Sequence, residues 1–188
     1  MSSPWLWYVS RSGGVVTMVL LTTVVVLGIV TSVRPNPHHA GPAIAMGLHR
    51  TLALGSTIFL ITHIGTALID TYVPIGWVSA VVPFTSSYHR TWVGLGSIAF
   101  DLFAAVIVTS LLRHRLPTRL WRLVHWFTYA MAPIAVVHGL MMATWSQPVL
   151  LAITAGCGAV MIETVAWRLL RPDPAARRRA DILAQEWI

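Results

Sequence analysis

Two long apolar runs of this chain each carry a pair of histidines. His49 and His63 fall within Leu48–Asp70, LHRTLALGSTIFLITHIGTALID, and His125 and His138 within Leu120–Ala143, LWRLVHWFTYAMAPIAVVHGLMMA. The spacings are fourteen and thirteen residues, which a helix rising ~1.5 Å per residue converts to ~21 and ~20 Å. In a bilayer with a hydrocarbon core ~30 Å thick, each helix then holds one imidazole near either face. Polar groups at that depth are costly and usually functional, and neutral imidazole is a common metal ligand. Two imidazoles level with each other across a helix pair fill both axial positions of a haem iron. Such a centre has no open site and passes electrons rather than activating oxygen at the metal. Two of them at two depths make an electron path across the membrane.

Other uses of the same residues stay open at this point. The histidines are also compatible with interhelical hydrogen bonds, or with a non-haem proton or metal transporter that employs them together with Asp101, an intramembrane carboxylate about midway through its span. A single zinc or di-metal site is disfavoured, because two histidines ~20 Å apart on one helix cannot meet at one ion. One angle resists the haem reading. At ~100° per residue, fourteen residues bring His63 within ~40° of the azimuth of His49, whereas thirteen leave His138 ~140° away from that of His125. Pro133 lies between the second pair and cannot donate to the carbonyl of Tyr129, so a kink or rewinding is expected there.

The elements that must position these residues follow from composition. The chain has 188 residues, 56% hydrophobic and 10% charged, with a mean hydropathy of +0.71; a soluble domain is nearer 25% charged. Five membrane spans are expected, at about 13–33, 48–70, 92–112, 119–143 and 149–170, giving an all-α integral membrane bundle. Residues 1–12 read as a short lead with Trp5, Trp7 and Tyr8 as interfacial anchors, and residues 72–88 as a surface or re-entrant segment broken by Pro74 and Pro83. Residues 171–188 read as a short cytoplasmic tail with at most one helix after Pro174. All thirteen basic residues are arginine, for a formal charge of +7. They sit between apolar runs rather than along one face with interleaved aromatics, which argues against a nucleic-acid partner. With the tail inside, eleven of the thirteen fall on the cytoplasmic side and only Arg11 and Arg90 outside. The amino terminus is then external, the second and fourth spans are parallel, and His49 lies level with His125 while His63 lies level with His138. The lone cysteine, Cys157, reads as packing between Gly156 and Gly158, and His38 and His39 as loop residues.

The pattern LHR-x12-H followed by W-R-x-x-H-W-x12-H resembles the ferric reductase-like transmembrane domain, the haem module of ferric reductases, NADPH oxidases and the haem subunit of a periplasmic methionine sulfoxide reductase system. The resemblance covers roughly residues 45–145. It implies two b-type haems stacked between the second and fourth spans, the inner on His49 and His125 and the outer on His63 and His138, in a multi-pass plasma-membrane protein. Members commonly have six helices, one more at the amino terminus than expected here, and oxidases continue into a flavin and nicotinamide domain. The G-x-G of Gly94 to Gly96 lies in an apolar span and is packing rather than a dinucleotide fingerprint. Electrons are therefore expected from a separate flavoprotein, a flavin at the inner face or a quinol, and are passed to an external acceptor or partner protein. A quinol-linked cytochrome b subunit of a redox complex is the nearest alternative.

Further residues are candidates around this centre. Arg50, Arg119 and Arg122 lie at the inner level and suit haem propionates, because guanidinium binds carboxylate in bidentate fashion; positive-inside charge explains them as well. Arg90, with Tyr88 and His89, suits the outer propionates or an acceptor dock. Gly55 suits close approach of a macrocycle or helix packing, and Phe59 and Met131 lie at mid-depth. Asp101 suits a proton path or a hydrogen bond to a ligand imidazole, and Glu163 an ion pair with Arg168.

Overall fold

The computed structural model describes residues 4–33, 40–71, 73, 75–144 and 146–170. His38, His39, Arg34, Arg171, Arg177 to Arg179 and the tail helix lie outside them. Among the described residues the fold is all helix: α1 Pro4–Val33, α2 Ala40–Ile69, α3 Arg90–Leu111, α4 Thr118–Trp126, α5 Thr128–Met142 and α6 Pro148–Leu170, with a short 3-10 turn at Trp77–Ala80. Five candidate membrane spans result, α4 and α5 together forming one of them. These runs are helical because a chain in lipid must satisfy its own backbone polar groups. Their hydroxyls obey the same demand. Thr17, Thr22, Thr57, Thr62 and Thr154 each donate to the carbonyl one turn earlier, to Gly13, Met18, Ala53, Ile58 and Leu150 respectively.

Helix α1 begins at Pro4, well before the expected start near Gly13, so the lead with Trp7 and Ser10 belongs to a 30-residue helix. It pairs with α2 along its length and also packs on α5 and α6, while α3 packs on α5 and α4. The buried core is built from Met18 and Leu21 of α1, Ala99 and Phe103 of α3, Met131 and Ala132 of α5 and Met161 of α6. Helix α2 stands at the edge of this core, with Ile44, Leu54, Ile58 and Ile61 exposed on its far side. That apolar exposure is a lipid-facing surface.

The expected fourth span is interrupted, but not at Pro133. Helix α5 runs from Thr128 through Pro133 to Met142, and the break falls at Phe127. There the backbone tightens, with Phe127 N–H donating to the Val124 carbonyl and Ala130 N–H to the Phe127 carbonyl, each three residues back. Thr128 Oγ1 donates to the His125 carbonyl at 2.8 Å, taking an acceptor that the broken ladder leaves. His125 therefore sits on α4 and His138 on α5.

The segment after Asp70 does not span. It folds back on α3, where Ser97 Oγ donates to the Ser79 carbonyl and Arg90 Nε to the Phe84 carbonyl. Phe84 adopts a φ of 64°, and Gly94 of α3 makes room for it: a Cβ at 94 would lie 2.8 Å from the Phe84 nitrogen. Because that neighbour is backbone, it cannot swing aside. Gly94→Ala is expected to cost about 1–3 kcal/mol by overpacking, read as a lowered melting temperature of the protein in detergent; an unchanged melt would show that the segment does not rely on this contact.

Candidate functional site

His63 of α2 and His138 of α5 both line a cavity of about 270 Å³ between α1, α2, α3 and α5. Each ring is tied back to a neighbouring helix. His63 Nδ1 lies 2.7 Å from the carbonyl of Ser10, and His138 Nδ1 lies 2.7 Å from the carbonyl of Trp92. Ser10 adds a bond from its Oγ to the His63 carbonyl at 3.1 Å. Toward the other end of α2, His49 Nδ1 lies 2.9 Å from the carbonyl of Val24. A carbonyl only accepts, so in all three rings Nδ1 carries the proton and Nε2 keeps its lone pair. That is the tautomer a metal ligand needs, with the second nitrogen anchored behind it.

The anchoring uses one device three times. Four residues beyond each acceptor carbonyl stands a glycine that faces the same histidine: Gly14 after Ser10, Gly28 after Val24 and Gly96 after Trp92. A Cβ at these positions would lie 3.0 Å from His63 Cε1, 3.2 Å from His49 Cε1 and 2.6 Å from His138 Cε1. A helical side chain leans over the turn that precedes it, so a residue at that place would cover the very carbonyl that the imidazole reaches. Glycine leaves it open. The carbonyl's second lone pair can then take the ring in addition to the helix's own bond.

His125 differs from the other three. Its ring faces His49 with centroids 6.3 Å apart and planes at 51°, and it stacks on Trp121 at 5.0 Å. Its Nδ1 is buried without a hydrogen-bond partner, as is Trp121 Nε1. Arg113 lies over the Trp121 ring at 4.7 Å. The structure thus holds two tiers, His49 with His125 and His63 with His138, and among the described residues no group of three or more histidine, cysteine or acidic side chains gathers to hold an ion.

The remaining candidates fall mostly outside the cavity. Arg50, Arg119 and Arg122 are exposed near the His49 tier, and Arg90 is exposed with its Nε on Phe84. Asp101 and Phe59 do not line the cavity, whereas Tyr88 and the buried Met131 do. His89 is exposed and rests edge-on against Tyr88. Gly55 faces Leu20 rather than a histidine. Glu163 is exposed and Cys157 half-buried. Sequence reasoning missed the part played by α1. Ser10, Gly14, Val24 and Gly28 repeat at the fourteen-residue interval of His49 and His63, a signal visible only once the two helices are paired. It also left Arg11 as an ordinary external charge, although Arg11 lines the cavity.

The sequence model described as "Ferric reductase like transmembrane component" matches residues 13–136. The chain belongs to that family. The match takes in α2 whole with His49 and His63, continues through His125 and ends just before His138. It also begins early enough to include Gly14, Val24 and Gly28, so the family's domain extends over the anchoring helix and not only over the histidine helices. Membership suggests transmembrane electron transfer. Neither a curated protein nor a solved structure matches the chain.

The glycine device can be tested directly. Gly96→Ala is expected to push the His138 ring off Trp92 and lower the melting temperature, because a methyl there meets the ring at 2.6–2.8 Å. Gly65→Ala, which has nothing within 4 Å, is expected to leave the melt unchanged or raise it. Equal effects in the two variants would argue against a close ring contact at Gly96.

Proposed function

We propose that this chain conducts electrons across a membrane through two b haems, an inner one on His49 and His125 and an outer one on His63 and His138. The observation that carries this reading is the pair of rings in the His49 tier. Two metal–imidazole bonds of about 2.0–2.1 Å, with a ring radius added at each end, amount to a little over about 6 Å. The observed centroid separation is 6.3 Å. Support for the other tier comes from its cavity, which both rings line, and from the anchored Nδ1 atoms that leave each Nε2 available. A haem so held supplies one-electron chemistry between ferrous and ferric iron.

The residues of the chain do the rest. Backbone carbonyls of α1 and α3 hold His49, His63 and His138 in the tautomer that would ligate a haem iron and restrain their ring planes. The fourteen-residue spacing on α2 keeps the two tiers ~21 Å apart. Arg50 beside His49 and Arg122 on α4 supply positive charge for propionates of the inner haem. Arginine bias puts that tier on the cytoplasmic side of the plasma membrane, toward a separate flavoprotein or quinol donor. The exposed Arg90 at the start of α3 faces the external acceptor. A metal or proton transporter that uses Asp101 is less favoured, because Asp101 does not line the cavity and, among the described residues, no group of three or more histidine, cysteine or acidic side chains gathers to hold an ion.

The test is a reduced-minus-oxidised spectrum with haem stoichiometry on the purified chain, expressed with adequate haem supply. Near two b haems per chain are expected, with one lost in His63→Ala and one in His125→Ala. A colourless wild-type preparation would refute the reading, and loss of both haems from each single variant would refute separate tiers.

A further inference from the structure

An acidic side chain in the middle of a membrane span is costly unless something meets it. Asp101 lies eleven residues from Arg90 and ten from Leu111, the two ends of α3, and so at mid-depth. The buried face of that helix carries Ala99, Phe103 and Val106. At ~100° per residue Asp101 stands about 170° from the middle of that face, directed away from the bundle and outside the lining of the histidine cavity. It is partly exposed, and among the described residues no hydrogen bond or ion pair reaches its carboxyl.

Asp101 is also one member of a stripe. Gly94, Ser97, Asp101, Ala104, Val108 and Leu111 follow one another at intervals of 3, 4, 3, 4 and 3 residues, the spacing of the seam in a left-handed helix pair. The chain covers the outer part of this stripe itself, with Phe84 against Gly94 and the Ser79 carbonyl on Ser97. Ser97 stands one turn short of Asp101, and beyond Asp101 the side chains of Val108 and Leu111 are 51% and 66% exposed. Lipid suits that valine and leucine, as it does the isoleucines of α2, but it does not suit a carboxyl. Ala104 lets a second backbone come close. The occupant must therefore bring a hydrogen-bonding group to mid-depth. A neutral carboxyl donates through its O–H and accepts through its other oxygen, so it is its own complement. About a two-fold axis along the membrane normal, every residue of the seam meets its copy at equal depth.

We propose that two copies of this chain associate through the outward faces of their α3 helices, the Asp101 carboxyl of one hydrogen-bonded to that of the other, with Ala104 and Val108 packed beside them. A polar residue at such a seam position fixes register and partner number, and here it selects a parallel pair. The opposite face of α3, with the Trp92 carbonyl and Gly96 against His138, stays turned inward. The two cavities then lie on opposite sides of the interface, and the proposal is independent of what they bind.

Two measurements on the full chain test it. Light scattering in mild detergent, over a range of protein-to-detergent ratios, is expected to show a dimer that Asp101→Asn retains and Asp101→Leu weakens about tenfold. An unchanged helical circular dichroism spectrum of Asp101→Leu excludes loss of fold as the cause. In membranes, single cysteines are placed in a Cys157→Ser background and oxidised with copper phenanthroline. Val108→Cys is expected to give a disulfide-linked dimer, and Ile58→Cys, on the lipid-facing side of α2, little or none. A monomer at every ratio, equal cross-linking at the two positions, or an Asp101→Leu dimer as tight as the wild type would overturn the proposal. Cross-linking of Val108→Cys to a chain of different mass would assign the seam to another subunit and overturn it as well. Should Asp101→Leu not accumulate, the pair of cysteine variants decides the matter alone.

Discussion

A histidine carried into hydrocarbon brings two ring nitrogens, and neither has water to turn to. The chain settles one of them by lending a backbone carbonyl from a neighbouring helix, at 2.7–2.9 Å, to His49, His63 and His138. Most of the architecture follows from that loan. The carbonyl is already engaged in its own helix, so it must be approached from the side. The residue one turn later must then have no side chain, and the lending helix must run close and in register. Helix α1 meets these conditions for both histidines of α2, and α3 meets them for His138. The buried core of methionine, leucine and phenylalanine between α1, α3, α5 and α6 holds the lenders at the right distance.

The fourth histidine shows what happens where the register is not kept. Thirteen residues beyond Trp92 along α3 is Ala105, and the place one turn later is held by Thr109 rather than glycine, with its hydroxyl on the Ala105 carbonyl at 2.7 Å. On α4 and α5 the corresponding interval contains the tightened turn at Phe127. His125 is left with a buried, unpartnered Nδ1 beside the equally unpartnered Trp121 Nε1. Its orientation comes instead from stacking on Trp121, which restrains the plane of a ring but does not choose its tautomer. The two tiers are accordingly built to different standards of rigidity.

How much of this was legible beforehand depends on whether the signal was a residue type or a relation between helices. The five spans could be read from apolar length, the four histidines from their depth, and the family from the residues around them. The non-spanning character of the segment after Asp70 could be read from its prolines. A kink or rewinding was expected at Pro133 because proline removes a hydrogen bond; α5 carries Pro133 as helix, and the interruption between α4 and α5 falls at Phe127, which no residue preference announces. Arg11 looked like loop charge because the first helix was expected to begin at Gly13, and its place in the cavity follows from the extra turns back to Pro4. The carbonyl-and-glycine device was not legible at all. A glycine four residues after an unremarkable serine, valine or tryptophan has no meaning until a histidine from another helix lies across it.

The pairing of α1 with α2 has a consequence for how such a chain can vary. Fourteen residues separate Ser10 from Val24 on one helix and His49 from His63 on the other, and fourteen is two heptads, the interval over which neighbouring helices in a left-handed pair return to the same face. The two helices are matched rulers. Lipid-facing positions such as Ile58 and Ile61 can exchange one apolar side chain for another, since nothing packs closely on them. The count of residues cannot change, because one inserted residue between Ser10 and Val24 would rotate one of the two carbonyls by ~100° away from its histidine. Length, more than residue identity, is what this hairpin has to inherit unaltered.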